Sequence, residues 1–122
     1  MDRHTLKIHN QNDVGEVHIA DEVIAIIAGM AAVEVEGIKG MVGNTGDNLV
    51  ELLGRKNLSK GVHVEVGEGT VTLGLSLVVN YGTSIVEVSK TVSEKVKTAV
   101  ETMTGLEVSE VNINVTGVDI EH

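Results

Sequence analysis

From Val62 to Asn80 apolar and polar residues alternate, with one break at Gly67-Glu68-Gly69. A period of two puts Val62, Val64 and Val66 on one side of a strand and His63 and Glu65 on the other. The second run sets Val71, Leu73, Leu75, Leu77 and Val79 against Thr72, Gly74, Ser76 and Asn80. The glycines between the runs supply the backbone freedom that a tight reversal needs. The pattern predicts a β-hairpin with one apolar and one polar face. Other parts of the chain have to cover the apolar face, while the polar face meets water or a polar partner.

Two segments can supply the cover. Asp21 to Val35 is too long and too rich in Ala for a strand, and Ile24, Ile27, Ala28, Ala31 and Val35 recur at helical spacing. Val23, Ile26 and Met30 are apolar as well, so this helix is expected to be buried around most of its circumference. Asp21 and Glu22 suit the positive end of its dipole, and Gly37 is its expected C-terminal cap. A second helix opens at Ser84, which forms a capping box with Glu87, and stops at Gly105. Its apolar stripe is Ile85, Val88, Val92, Val96, Val100 and Met103, with Glu87, Lys90, Glu94, Lys97 and Glu101 on the wet side.

Val108 to Ile120 reads as a final strand in which Val111, Ile113 and Val115 alternate with Asn112 and Asn114, and Gly117 marks a bulge. Shorter strands are expected at Val14–Ile19 and Ile38–Val42, and a brief helix at Asn48–Leu53 behind Asp47. Residues 1–13 lack periodicity and read as a flexible arm, which leaves 14–122 as one domain. The expected architecture is α+β, a two-layer sandwich with two long helices packed on one face of a mostly antiparallel sheet. The order helix, glycine, strand occurs twice, at Ile24–Ile38 and Val92–Leu106; it reads as the ordinary way a helix feeds a strand, not as a repeat.

Composition narrows function more than fold. The chain has 122 residues, of which 18 are acids and 9 are bases, for a net charge of −9. It has no Cys, Pro, Phe or Trp, and one Tyr, Tyr81. A disulfide scaffold and a Cys-ligated metal are excluded. A net acid without stacking platforms is a poor match for nucleic acid, so no nucleic-acid partner is expected. The core must be aliphatic, and small side chains such as Val bury less area than aromatic ones. Association adds burial, so a homo-oligomer is expected. Met1–Asn12 has no signal-peptide pattern, and the longest apolar run, Val23 to Val33, is shorter than the roughly 20 residues a membrane span needs. The expected place is the cytoplasm, without direct stable membrane insertion.

No convergent chemistry emerges. His18 lies near Asp21 and Glu22, and His63 alternates with Glu65, but the histidines lack metal-ligand spacing. No Gly-x-Ser-x-Gly elbow occurs, and Ser84, Ser89 and Ser93 are accounted for by a cap and a helix surface. The glycines at 37, 40, 43 and 46 lack the Gly-Lys-Ser/Thr ending of a phosphate loop. Neither catalytic residues, cofactor nor metal is therefore expected. Charge is more telling: residues 13–36 carry six acids and no Lys or Arg, whereas Arg55, Lys56 and Lys60 cluster. These three bases are the candidate partner-binding residues, suited to an acidic surface.

Several strings together resemble one family. They are Gly15-Glu-Val-His-Ile-Ala20, the Ala-rich helix running to Val35-Glu36-Gly37-Ile38-Lys39-Gly40-Met41, Leu53-Gly54-Arg55-Lys56-Asn57, Tyr81-Gly82, and the ending Val100 to Val115. Their order is similar to that of alkaline shock protein 23 and the Gls general stress protein, the Asp/Gls family of Gram-positive bacteria. The resemblance implies a non-catalytic cytoplasmic scaffold or adaptor in cell-envelope homeostasis and stress. Such a protein self-associates or docks on a membrane-anchored partner, which recruits it to the inner face of the membrane. The alternative implied is a regulatory binding protein for an enzyme of fatty-acid or lipid metabolism. The resemblance carries over no catalytic residue.

Overall fold

A computed structural model describes residues 3–8, 15–41 and 60–120. Its elements are β1 (Arg3–Ile8), β2 (Gly15–Ala20), α1 (Asp21–Val33), β3 (Ile38–Met41), β4 (Val62–Val66), β5 (Thr70–Asn80), α2 (Ile85–Thr104) and β6 (Glu107–Asp119). The fold is α+β, with two helices covering one face of a mainly antiparallel sheet.

The hairpin forms where the alternation places it. β4 and β5 run antiparallel from Val62 opposite Leu75 to Val66 opposite Val71. The Gly67 N–H donates to the Thr70 carbonyl at 2.9 Å, closing the turn. β5 is the axis of the sheet. One of its edges serves β4 and then β3, which pairs with it at Ile38–Val79 and Met41–Leu77. The other edge serves β6 along its whole length, from Thr70–Glu107 to Asn80–Asp119. That last pairing is parallel, because α2 carries the chain back to the starting end before β6 begins. β6 bulges twice, at Ser109 and at Thr116, the second directly before Gly117 as its sequence suggests.

The core lies between the sheet and the helices. Val71, Leu73, Leu75, Leu77 and Val79 are buried beneath Val92, Val96 and Val100 of α2 and Ile24, Ala28 and Ala32 of α1. Burying aliphatic side chains of this kind contributes about 1.5–3 kcal/mol each for the larger ones.

The two helices end differently. In α2 the Ser84 hydroxyl accepts the Glu87 N–H at 3.5 Å, and Gly105 takes a left-handed conformation with its N–H donating to Glu101. α1 has no side-chain cap and stops at Val33, before the expected end at Val35. Gly37 is therefore not its immediate cap. With φ of +101° it instead turns the chain into β3, and its carbonyl accepts the Asn80 N–H at 2.9 Å.

Within the segment read as a flexible arm, Arg3–Ile8 is a strand, antiparallel to β2 from Arg3–Ala20 to Ile8–Gly15. β2 packs Ile19 against the core, and the pairing extends that order to Arg3–Ile8, whose own sequence is weakly patterned. The brief helix expected at Asn48–Leu53 lies outside the described residues.

Candidate interaction surfaces

The outer sheet face is polar, as the alternation requires. His63 and Glu65 stand on β4, Thr72 and Ser76 on β5, and Asn112 and Asn114 on β6. Gly74 carries no side chain between Thr72 and Ser76, so the middle of the face is low. A shallow hollow of about 480 Å³ opens there, lined by Gly61, Val62, His63, Gly74, Ser76 and Asn114. At one end of the sheet Lys39 Nζ reaches Asp119 Oδ2 at 3.3 Å, joining β3 to β6 across β5.

His63 Nε2 lies 3.4 Å from Glu65 Oε1, and both side chains are more than two-thirds exposed. A water-facing pair of this kind adds little to stability and gives no desolvated base. His18 is exposed on β2, away from this pair along the chain. Among the described residues no three His, Asp or Glu side chains are grouped to hold a metal. The outer face offers hydrogen bonds and an accessible imidazole.

Of the three candidate bases, Lys60 is exposed at the turn leading into β4, next to Gly61 and so beside the hollow. Arg55 and Lys56 lie outside the described residues.

The helix layer holds a surface that composition did not disclose. α1 is buried around most of its circumference, as expected, but not on every apolar position. Ile24, Ala25, Ile27, Ala28, Gly29, Ala31 and Ala32 turn inward, but Val23 and Met30 remain 41% and 42% exposed, with Ile26 and Val33 half-buried beside them. The residues on the remaining arc are Glu22 and Glu34. Val23, Ile26, Met30 and Val33 repeat with spacings of three and four, so the signal was legible as a second stripe. It was hidden because a helix apolar on all sides has no obvious wet face.

Two polar residues near the end of α2 turn inward, one of them against its sequence reading. Glu101, expected on the wet side, is half-buried, and its Oε2 accepts the Val108 N–H at 2.9 Å. Thr104 is buried; its hydroxyl donates to the Val100 carbonyl at 2.6 Å and accepts the Leu106 N–H at 3.1 Å. Both tie the end of α2 to the start of β6. In contrast, Ile85 and Met103, at the ends of the apolar stripe, are exposed.

The model of the alkaline shock protein 23 family, described as having a cell envelope-related function, matches residues 9–120. The chain belongs to the alkaline shock protein 23 family. Among its relatives there, YqhY of Bacillus subtilis is 38% identical over 93% of this chain and 84% of its own length. A stress response regulator gls24 homolog of Streptococcus pyogenes serotype M3 is 34% identical, over 88% of this chain but 59% of the longer relative. A solved MamM CTD is similar in fold, with a TM-score of 0.52 and 11% identity over 82% of this chain and all of that one. Among the described residues no helix is long and apolar enough to cross a membrane.

Proposed function

We propose that this member of the alkaline shock protein 23 family is a non-catalytic scaffold or adaptor in cell-envelope homeostasis and stress response. It acts by protein docking, through self-association or through a membrane-anchored partner that holds it at the inner face of the membrane. The observation that supports this reading is the outer arc of α1. Val23 and Met30 lie one above the other on an exposed helix face, and contiguous apolar surface of this kind supports docking of a partner. The titratable groups of the sheet face, by contrast, stand in water. Arg55, Lys56 and Lys60 are proposed as a second contact, for an acidic partner surface.

Sedimentation of the purified chain at physiological salt, together with cross-linking in cells, tests the proposal. The expected result is a species heavier than a monomer or a defined cross-linked protein. A membrane-anchored product supports the envelope reading, and a lipid-synthesis enzyme supports the regulatory alternative. Monomer alone, with no cross-linked product, contradicts both. Reversing the bases with Arg55→Glu, Lys56→Glu and Lys60→Glu should abolish capture, whereas unaltered capture would clear them of a role.

A further inference from the structure

The outer arc of α1 has the spacing of a helix–helix seam. Val23 and Met30 are seven apart, and Ile26 and Val33 follow each of them by three, which is the a and d pattern of two heptads; Val33, at the end of the seam, is half-buried and also packs against the core. Positions flanking such a seam, e and g, select partners by charge. Here Glu22 precedes Val23 and Glu34 follows Val33, so each sits beside the seam, and both are exposed. The other two flanking positions, Ile27 and Gly29, are buried in the domain. The charges presented along the seam are therefore acidic. α1 contributes no Lys or Arg, and Asp21 and Glu36 extend the negative field at its ends. Among the described residues Lys95 of α2 lines the groove that also holds Ala31, Glu34, Glu94 and Ala99.

We infer that this seam receives a helix of another protein, one with an a/d apolar stripe of about two heptads flanked by Lys or Arg. The inference rests on the docking reading above and names its surface and the chemistry of its partner. A helix is the matching occupant because its side chains repeat with the same period as the stripe, so ridges and grooves interlock along the whole seam. A second copy of α1 is disfavoured. It would bring two acidic helices together, with no base on either to offset Glu22 and Glu34. The exposed apolar residues Ile85 and Val86, in the first turn of α2, lack this spacing and serve as a comparison surface.

The test uses the full chain and two designed helical peptides of about 18 residues, five turns each. Both carry the same Leu stripe; one is flanked by Lys and the other by Glu. Binding is read by fluorescence anisotropy, and the fold of each variant by its cooperative urea transition. The Lys peptide should bind at least about tenfold more tightly than the Glu peptide. Met30→Asp should weaken it by at least about tenfold and Val86→Asp should leave it unchanged. Glu22→Lys with Glu34→Lys, changes confined to exposed positions, should reverse the peptide preference. Equal binding of the two peptides, or a preference that the charge swap leaves intact, overturns the charge assignment. Loss of binding in Val86→Asp but not Met30→Asp overturns the surface. Self-association of the chain that Met30→Asp abolishes makes the occupant a second copy and overturns the inference while sustaining the scaffold reading. Self-association untouched by Met30→Asp, with no peptide bound, likewise removes the seam and leaves docking in place. Absence of both peptide binding and self-association contradicts the inference and the docking reading together.

Discussion

Replacing Gly37 by Ala should destabilise the protein far more than the same change at Gly105, although both glycines are left-handed. Their φ values are +101° and +78°. A β-carbon in left-handed backbone costs about 1–2 kcal/mol, and at Gly105 nothing lies within 4 Å of where it would go, so that cost stands alone. At Gly37 the new carbon would sit 2.9 Å from Thr83 Cγ2, 3.3 Å from Thr83 Oγ1 and 3.1 Å from Val88 Cγ2. Rotating Thr83 merely exchanges one branch for the other, and Val88 is β-branched in a helix and stiff. Crowding of this kind adds about 1–3 kcal/mol, for a total of about 2–5 kcal/mol. Urea unfolding measures it: with a slope near 1.5 kcal/mol per molar, the Gly37→Ala midpoint should fall below that of Gly105→Ala by about 0.7–2 M. Thr83→Ala should recover part of the loss, on the order of 1 kcal/mol as a coupling in a double-mutant cycle. Equal midpoints for the two glycine variants, or no recovery with Thr83→Ala, would refute close packing of the α1–β3 turn against the start of α2.

Three further outcomes follow from the core and from the α2–β6 turn. Leu75→Ala, at a fully buried position on the central strand, should cost about 3–5 kcal/mol by urea unfolding, a large part of the about 5–15 kcal/mol typical of a domain. Thr104→Val should cost about 1–3 kcal/mol because it strands the buried Leu106 N–H, while Thr104→Ser, which keeps the hydroxyl, should cost clearly less. Glu101→Ala should cost about 1–2 kcal/mol and speed hydrogen exchange at Val108, whereas Glu101→Gln retains an acceptor and should protect that amide.

Periodicity made most of the fold legible. The β4–β5 alternation, the Ser84 cap, the Gly105 stop and the bulge before Gly117 are local signals, and each lies where its chemistry places it. Pairing partners were less accessible. Nothing within β6 says that it runs parallel to β5, because direction depends on where α2 returns the chain. β2 was expected, at Val14–Ile19, but its partner β1 was not, because the pairing joins segments that are weakly patterned. Glu101 was misjudged, and Thr104 passed over, for a related reason: their roles depend on the α2–β6 turn, which brings backbone N–H groups to their oxygens. On α1, burial around most of the circumference was legible, but the pattern did not say which of the apolar positions would be left outside. The exposed remainder, Val23 and Met30 with Ile26 half-buried between them, became visible once the covering elements were in place.

The most direct test of docking through α1 is the thiol reactivity of single-cysteine variants, since the chain has no Cys of its own. Met30→Cys and Val23→Cys should react readily with a maleimide in the dilute purified protein. In the cells that make it, both should be protected at least about tenfold, while Val86→Cys, at a position 79% exposed, keeps its rate. Equal rates at all three positions in both settings would contradict the account.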